Sequence, residues 1–196
     1  MQNQNQNKEE VIENEVRLED KKSFVDPKEV IAVAGIKIGD KVADFGCGPG
    51  YFSLPASASV GEGGVVYAFD VLPAAIEALE SHVRIKNIDN VITKRVNLEK
   101  ERATGLADES VDWVIIKDVL FQNKDKNVIL SEAKRILKSG GRVLIMEWNE
   151  NIFIGPNKDS RIAQSKLAEI IYNEGFIFKK QINAGDYHYV MIVSKV

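Results

Sequence analysis

Residues 42–52 read VADFGCGPGYF, an apolar run that ends in an acid and continues into three glycines at alternate positions. Gly46, Gly48 and Gly50 have GxGxG spacing, which lets a backbone turn tightly and approach a ligand where side chains would collide with it. In an open parallel sheet, ligands bind beyond the carboxyl ends of the strands, where the strand order reverses. A glycine loop directly after the first core strand therefore predicts a ligand site.

Two common phosphate-binding loops do not match this stretch. A P-loop ends in Gly-Lys-Ser/Thr, but Tyr51 follows Gly50. A dinucleotide fingerprint needs GxGxxG, and its third glycine would fall at the position of Tyr51. Asp44, two residues before the first glycine, would repel a pyrophosphate but tolerates an ammonium or sulfonium group. We therefore expect a ligand with a cationic part, and a nicotinamide oxidoreductase is disfavoured.

A second acid, Asp70, ends the next apolar run, VVYAF at 65–69. A carboxylate at that place lies beside the glycine loop and can accept both hydroxyls of a ribose. The alternative for Asp44 and Asp70 is an acid that caps the following helix. Two such acids flanking GxGxG favour the ligand interpretation, and together they predict a nucleoside with a cationic tail.

The composition narrows the class of protein. The chain has 196 residues, of which 44% are hydrophobic and 28% charged, as expected of a globular domain. A net charge of −3 argues against a strongly basic nucleic-acid surface, although a local basic patch stays open. Cys47 is the one cysteine, so no intrachain disulfide and no cysteine metal cluster is expected. Without a signal-peptide pattern or a run of about 18 apolar residues, we predict a cytoplasmic protein with no membrane span.

The periodicity predicts an α/β fold with a doubly wound, mostly parallel, seven-stranded sheet and an antiparallel C-terminal strand, a Rossmann-like arrangement. The last two strands flank the short turn NAGD at 183–186, too short for a parallel crossover. Predicted strands span 42–45, 65–69, 91–96, 111–116, 142–148, 176–182 and 187–193. Predicted helices start at Asp26-Pro27, near Gly50, at Pro73, at Lys126 and near Ala163.

The sequence also predicts details of two helices and the division of the chain into an arm and a domain. The helix at Pro73 is expected to bury Leu72 with Ile76, and Ser139-Gly140-Gly141 is expected to stop the helix that starts at Lys126. Residues 1–22 are expected to form a polar arm, disordered in its Asn/Gln tract and otherwise a solvated arm or a lid helix. Residues 23–196 are expected to form a single domain.

Four segments in order resemble the motif series of class I S-adenosylmethionine-dependent methyltransferases. They are VADFGCGPGYF at 42–52, VVYAFDV at 65–71, SVDWVIIKDVLF at 110–121 and ILKSGGRVLIMEW at 136–148. The resemblance is greatest to the type 11, or quinone-biosynthesis-like, group, and it extends from about Asp26 to the C-terminus. GxGxG alone is a weak signal, whereas four motifs in register are specific.

The resemblance implies S-adenosylmethionine as cofactor and S-adenosylhomocysteine as product. Gly46, Gly48 and Gly50 would line the methionine part, with Asp44 near its amino group, and Asp70 would bind the ribose. The remaining cofactor positions implied by the resemblance are Val71 and Leu72 on the adenine, Asn97 and Leu98 at the adenine edge, and Lys117 where the methionine end meets the acceptor. Asn97 stands where the family usually has an aspartate, and a simple turn residue is the equal alternative.

The implied reaction is methyl transfer to a small-molecule acceptor by in-line displacement, with proximity supplying much of the rate. A general base is needed only if the acceptor must lose a proton. Asp118 and His188 are the residues to test, although His188 alternates with Val190 as a packed strand residue would. Alternatives are an RNA or protein methyltransferase and a non-catalytic cofactor-binding module. Arsenite methylation is disfavoured by the single cysteine, and the oligomeric state is not predicted.

Overall fold

A computed structural model describes Val16–Arg17 and residues 25–196. Its strands are β1 (Val16–Arg17), β2 (Lys41–Phe45), β3 (Val65–Asp70), β4 (Val91–Arg95), β5 (Val111–Lys117), β6 (Leu137–Trp148), β7 (Phe176–Ala184) and β8 (His188–Lys195). Its α-helices are α1 (Pro27–Ala34), α2 (Ser53–Val60), α3 (Pro73–Ile85), α4 (Lys126–Ile136) and α5 (Gln164–Asn173). Short 3-10 helices span Leu120–Gln122 and Lys158–Ser160.

The strands form one sheet in the order β1-β7-β8-β6-β5-β2-β3-β4. All neighbours pair in parallel except β8, which is antiparallel to both β6 and β7. The seven predicted strands and the antiparallel C-terminal strand are therefore confirmed. The winding reverses between β2 and β5, which pair with each other, so the predicted ligand crevice lies at their carboxyl ends.

Both faces of the central sheet are buried. Alternate residues of β6 face opposite apolar clusters: Val143 and Ile145 pack with Leu167 of α5 on one face, and Leu144 packs with Val30 of α1 on the other. Burial on both faces explains why the central strands are continuously apolar in sequence. Polar side chains are therefore left to the ends of these strands, where a ligand can reach them.

Helix starts and stops agree with the sequence prediction at α1 and differ at two other points. Asp26 accepts a hydrogen bond from Lys28 N at 2.9 Å and Gly35 ends α1 with φ +97°. Leu72, expected on the buried face of α3, is 61% exposed because the residue before Pro73 is extended. The predicted glycine stop after α4 is also wrong, since the helix already ends at Ile136 and residues 139–141 lie within β6.

The predicted N-terminal arm is described only at Val16 and Arg17. These two residues are extended and pair in parallel with Ile182 and Asn183 of β7, so this part of the arm is a strand and not a helix. The rest of residues 1–22, including the Asn/Gln tract, lies outside the described residues. Across the described ranges, no helix has both the length and the apolar character needed to cross a bilayer.

Glu132 of α4 fixes the loop between β4 and β5. Its carboxylate is 3% exposed, accepts from Thr104 N and Oγ1 at 3.0 and 2.5 Å, and pairs with Arg135 Nε at 2.8 Å. We expect Glu132→Ala to lower the free energy of unfolding by about 2–4 kcal/mol, because it leaves the buried Thr104 N–H and the Arg135 Nε–H without partners, while Arg135 Nη1 keeps Asp108 Oδ1. Urea unfolding followed by circular dichroism measures this loss.

The matched control for this variant is Glu169→Ala. Glu169 also pairs with a basic residue on its own helix, Lys166 at 2.8 Å, but both side chains are more than half exposed. Removing an exposed pair costs only about 0–1 kcal/mol. Equal losses in the two variants would contradict the structural role of Glu132.

Candidate functional site

The glycine loop is tied to the neighbouring strand by its backbone. Gly46 N and Cys47 N both donate to Phe69 O of β3, at 2.8 and 2.9 Å. Gly46, Gly48 and Gly50 have φ values of +72°, +53° and +99°, a region that L-residues rarely adopt. The alternate glycines are thus required by the path of the chain between β2 and α2.

The three glycines have different surroundings. A Cβ on Gly46 would overlap Val119 Cγ2, and one on Gly50 would lie 2.5 Å from Leu79 Cδ1. A Cβ on Gly48 would meet no protein atom within 4 Å. Gly46 and Gly50 therefore leave room for packing, whereas Gly48 leaves open space at the edge of the ligand cavity.

A cavity of about 450 Å³ lies at the carboxyl ends of the central strands. Of the ten residues predicted to bind the cofactor, all except Gly50 line it, and the predicted catalytic residue Asp118 lines it as well. Gly50 faces the other side of the loop, and His188 lies behind Asp118. The volume is in the range of small-molecule sites in proteins.

Asp70 is held with one hydrogen bond to each carboxylate oxygen. Its Oδ2 accepts from Gly48 N and its Oδ1 from Leu72 N, both at 2.9 Å, and the residue is 8% exposed. Because a carboxylate oxygen can accept two hydrogen bonds, each oxygen keeps capacity for one more donor. The side chain therefore has a free acceptor position on each oxygen, and it also fixes the glycine loop to β3.

Asp44 is a buried acid at the end of β2. It is 2% exposed, and Ser53 Oγ donates to its Oδ2 at 2.6 Å. The pKa of Asp44 is raised to about 6, mainly by burial and also by the nearby Asp70, while the Ser53 hydrogen bond and Lys117 act in the opposite direction. A cationic group entering the cavity would stabilise the charged form of Asp44.

Apolar and amide side chains continue the cavity beyond Asp70. Val71 and Leu72 are 51% and 61% exposed, and form an apolar rim. The extended backbone that removes Leu72 from the buried face of α3 is what places it there. Asn97 lines the cavity, but its Oδ1 already accepts from Glu99 N at 2.9 Å, so it also acts as a turn residue.

The opposite end of the cavity carries a Lys–Asp pair. Lys117 Nζ is ion-paired with Asp118 Oδ2 and lies 5.6 Å from the ring centroid of Tyr51. Asp118 has φ +55°, a strained value for a residue other than glycine, and its N–H donates to Met146 O at 2.9 Å. The side chain is therefore held at the point where β5 ends.

His188 does not reach the cavity. Its Nε2 is 3.3 Å from Asp118 Oδ1 without hydrogen-bond geometry, and its ring packs on Trp148 with centroids 4.2 Å apart. The residue is 3% exposed, as its alternation with Val190 in the sequence indicates. It can act on a ligand only through Asp118.

The structure adds site residues that the sequence did not indicate. Val119, Gln122 and Asn123 line the cavity and follow Asp118 closely along the chain. Glu147, at the end of β6, is fully buried beside them, with Oε1 accepting from Leu120 N at 2.8 Å. An acid inside the apolar run LIMEW was the one sequence signal for Glu147.

A doubly wound sheet with a glycine loop and two strand-end acids around one cavity defines a Rossmann-like nucleoside-binding site. Residues 36–191 match the methyltransferase-domain family, and the chain belongs to this family. Within it the chain groups with the class I, type 11 S-adenosylmethionine-dependent methyltransferases, as the motif resemblance predicts. S-adenosylmethionine is the cofactor implied by this membership.

Two relatives of known sequence match more than half of this chain and carry different names. The chain is 33% identical over 125 residues to the ubiquinone/menaquinone biosynthesis C-methyltransferase UbiE of Haemophilus ducreyi, covering 63% of this chain and 47% of that protein. It is 31% identical over 116 residues to the arsenite methyltransferase of Halobacterium salinarum, covering 59% and 29%. The chain thus spans about half or less of the length of these curated relatives.

A solved structure gives a fuller match. A SAM-dependent methyltransferase from Aquifex aeolicus superimposes with a TM-score of 0.82 at 25% identity, covering 88% of this chain and 91% of that chain. The agreement over nearly the whole of both chains confirms the Rossmann-like methyltransferase fold predicted from the sequence.

The residues around the cavity fit the implied cofactor in their chemistry. Asp70 offers two carboxylate oxygens to a ribose diol, and Asp44 offers a buried carboxylate to an ammonium group. Gly48 leaves open the space that a Cβ would fill. The donors and acceptors present are those that a nucleoside with a cationic amino-acid tail requires.

Gly46→Ala is expected to lower both stability and cofactor affinity. The left-handed backbone costs about 1–2 kcal/mol with any Cβ, and the overlap with Val119 adds about 1–3 kcal/mol of overpacking. Because relief requires the loop or Val119 to move into the cavity, S-adenosylhomocysteine binding should weaken as well. Thermal unfolding and calorimetric titration measure the two effects.

Gly140→Ala is the matched control. Gly140 has the same φ of +72°, but a Cβ there meets no atom within 4 Å, and the residue lies in β6 without lining the cavity. The Gly140→Ala variant should lose only the stability that a Cβ costs in left-handed backbone, and its affinity for S-adenosylhomocysteine should not change. Identical behaviour of the two variants would show that contact with Val119 has no role.

Proposed function

We propose that this protein transfers a methyl group from S-adenosylmethionine to a small-molecule acceptor by in-line displacement. The observation that carries the proposal is the placement of Asp44 and Asp70 in one cavity, on two adjacent strands at the glycine loop. One acid matches a cationic amino-acid tail and the other matches a ribose. Family membership supplies the chemistry that this pair of carboxylates alone does not specify.

Each residue predicted to bind the cofactor has a role in binding under this proposal. Asp70 accepts the two ribose hydroxyls, Asp44 faces the amino group, and Gly46 and Gly48 border the methionine part. The apolar rim formed by Val71 and Leu72 packs on the adenine, with Asn97 and Leu98 at its edge. Gly50 acts indirectly, by letting α3 and α2 approach the loop through Leu79 and Leu54.

The acceptor end is assigned to the Lys117–Asp118 pair. S-adenosylmethionine supplies a methyl group on a sulfonium, a good leaving group, so the protein mainly has to align the acceptor atom with it. Asp118 is the residue in contact with the cavity that can accept a proton from the acceptor, and His188 stands behind it at 3.3 Å. His188 is a positioning residue in this arrangement.

A small acceptor is favoured over a nucleic acid by the charge of the cavity. Among the described residues that line it, Lys117 is the one basic side chain, and it is paired with Asp118. Contact with a phosphate backbone uses several unpaired Lys or Arg side chains. The name of the Haemophilus ducreyi relative, a quinone-biosynthesis C-methyltransferase, supports a quinone-type acceptor that is methylated on carbon.

Arsenite is a second acceptor that a relative's name suggests. Cys47 lines the cavity, but it is 4% exposed, and burial raises the pKa of its thiol well above the usual range. A neutral, buried and single thiol is a poor ligand for trivalent arsenic, which is bound by several thiolates. A cytoplasmic location remains our prediction from the sequence.

Calorimetric titration with S-adenosylhomocysteine and with NAD⁺ tests the cofactor part of this proposal. We expect binding of the first ligand and none of the second; the reverse result would favour an oxidoreductase. Turnover is then tested with S-[methyl-³H]adenosylmethionine and three acceptor classes: 1,4-naphthalenediol as a hydroquinone, total tRNA, and a protein extract. Label transfer to the diol alone supports the small-molecule proposal. Binding without transfer to any class supports a non-catalytic module.

A further inference from the structure

The unsatisfied polar atoms of the described chain gather at one place. Four buried side-chain atoms lack a hydrogen-bond partner there: Asp118 Oδ1, Glu147 Oε2 and both ring nitrogens of His188. Buried polar atoms without partners are rare in folded proteins, and each costs free energy. Their concentration where β5 and β6 end and β8 begins marks a functional position beside the acceptor end of the cavity.

Glu147 supports the segment of residues 117–123, which provides five of the residues that line the cavity. Its Oε1 accepts from Leu120 N at 2.8 Å, at the start of the 3-10 helix that shapes this segment. Val119, one residue earlier, packs against Gly46 of the glycine loop. A shift of Glu147 would therefore move both the acceptor residues and the contact that borders the methionine part.

We propose that Glu147 is a positioning residue for the acceptor side of the cavity, holding residues 117–123 in place and keeping the Lys117–Asp118 pair at the cavity wall. The inference rests on the proposed function, because its readout is binding of the methyltransferase product. Glu147 itself is fully buried and does not line the cavity, so it acts through the segment and not by contact with a ligand.

The charges around Glu147 explain why its neutral form is the supporting one. The pKa of Glu147 is raised to about 8, mainly by burial and also by the neighbouring Asp118, while the backbone N–H groups of Leu120 and Phe121 and the ammonium of Lys117 act in the opposite direction. On β8, Tyr189 is its register partner and His188 precedes it. Glu150 follows Glu147 along the chain. The pKa of Tyr189 is raised mainly by burial, and also by the negative charges of Glu147 and Glu150.

Ionisation of Glu147 would place a second negative charge beside Asp118 in a buried setting. A movement of residues 117–123 or the entry of water would lower the energy of this buried charge, and either change would disturb the cavity. In the folded protein the neutral form of Glu147 predominates below about pH 8 and is lost as the pH rises through that value. Because the folded-state pKa lies above the ordinary value of 4.5, the stability linked to Glu147 is fully present below about pH 4.5 and is lost as the pH rises through about 8. Affinity for S-adenosylhomocysteine should follow the neutral fraction.

The test is calorimetric titration of S-adenosylhomocysteine between about pH 6.5 and 9 with wild type, Glu147→Gln, Glu147→Ala and Glu150→Gln, a range that brackets the pKa of Glu147. The amino group of the ligand titrates in the same range in every variant, so the measured quantity is the difference between proteins. Glu147→Gln keeps the acceptor for Leu120 N and cannot ionise. We expect it to bind about tenfold more tightly than wild type at about pH 9 and equally at about pH 6.5.

The other variants complete the test. Glu147→Ala should bind more weakly at every pH, and Glu150→Gln, which changes an exposed acid, should follow wild type. Parallel profiles for wild type and Glu147→Gln, or wild-type affinity in Glu147→Ala, would overturn this inference alone. Failure of wild type to bind S-adenosylhomocysteine at any pH would overturn the proposed function itself.

Discussion

Asp70→Ala should reduce S-adenosylhomocysteine affinity by on the order of 100- to 1,000-fold. The side chain offers one free acceptor position on each oxygen to the ribose, and hydrogen bonds to a charged group contribute about 1.5–3 kcal/mol each. The variant also removes the bonds that Asp70 accepts from Gly48 N and Leu72 N, so the glycine loop loses its anchor to β3. Isothermal titration calorimetry measures the effect directly.

Asp40→Ala is the control for the loss of a buried acid. Asp40 is also 8% exposed and also accepts a backbone N–H, from Lys37 at 3.0 Å, but it lies at the amino end of β2 and does not line the cavity. Its removal should lower stability without changing affinity. If Asp70→Ala bound the ligand as wild type does, the assignment of Asp70 to the ribose would be wrong, and with it the central part of the proposed function.

Asp44→Asn is expected to make the ligand-free protein more stable and the complex weaker. Carrying the Asp44 charge at pH 7 costs on the order of 3 kcal/mol, from a rise in pKa from 3.8 to about 6. The amide removes that cost, less the part due to the hydrogen bond from Ser53 Oγ. It also removes the partner proposed for the amino group, so affinity should fall by on the order of 10- to 100-fold.

The pH dependence of the wild type provides the second half of this prediction. The stability linked to Asp44 is fully present below pH 3.8 and is lost as the pH rises through about 6, because its folded-state pKa is raised. Affinity for the cationic ligand should change in the opposite direction and increase as the pH passes about 6. Thermal unfolding and titrations at about pH 5 and about pH 7.5, one on each side of this pKa, give both quantities.

Two outcomes for Asp44→Asn would separate structure from function. A less stable variant with normal affinity would mean that Asp44 is a structural partner of Ser53 and has no contact with the ligand. A more stable variant with normal affinity would mean that the charge is costly but faces no cation. Only the combination of higher stability and lower affinity supports the proposed role, and the affinity of the Asp44→Asn variant should then change little between about pH 5 and about pH 7.5.

The seven strands, their parallel pairing and the glycine loop followed from short-range features of the chain. Apolar runs of five or six residues alternating with amphipathic stretches specify buried strands and covering helices, and the local turn chemistry around Gly46 and Gly48 specifies the loop. The residues of the cavity could also be predicted from the sequence, because strand ends in a parallel sheet meet at one edge. This places Asp44, Asp70 and Asp118 together.

The differences arose where tertiary context outweighs a local pattern. Leu72 fits the periodicity of α3, but Pro73 keeps it extended, and the residue turns to the cavity. Ser139-Gly140-Gly141 has the composition of a helix stop, yet pairing of Leu137 with Val111 draws these residues into β6. Gly50 has ligand-loop spacing but faces Leu79 and Leu54.

The sequence alone therefore determined the class of fold, the family and the edge of the sheet where the cavity lies, because each depends on residues close together along the chain or at predictable strand ends. Only the tertiary structure decided which polar groups are paired. Asp118, Glu147 and His188 come from the ends of three different strands, and their burial and missing partners depend on how β5, β6 and β8 pack there. Free energies of desolvation depend on that packing, which no local pattern records.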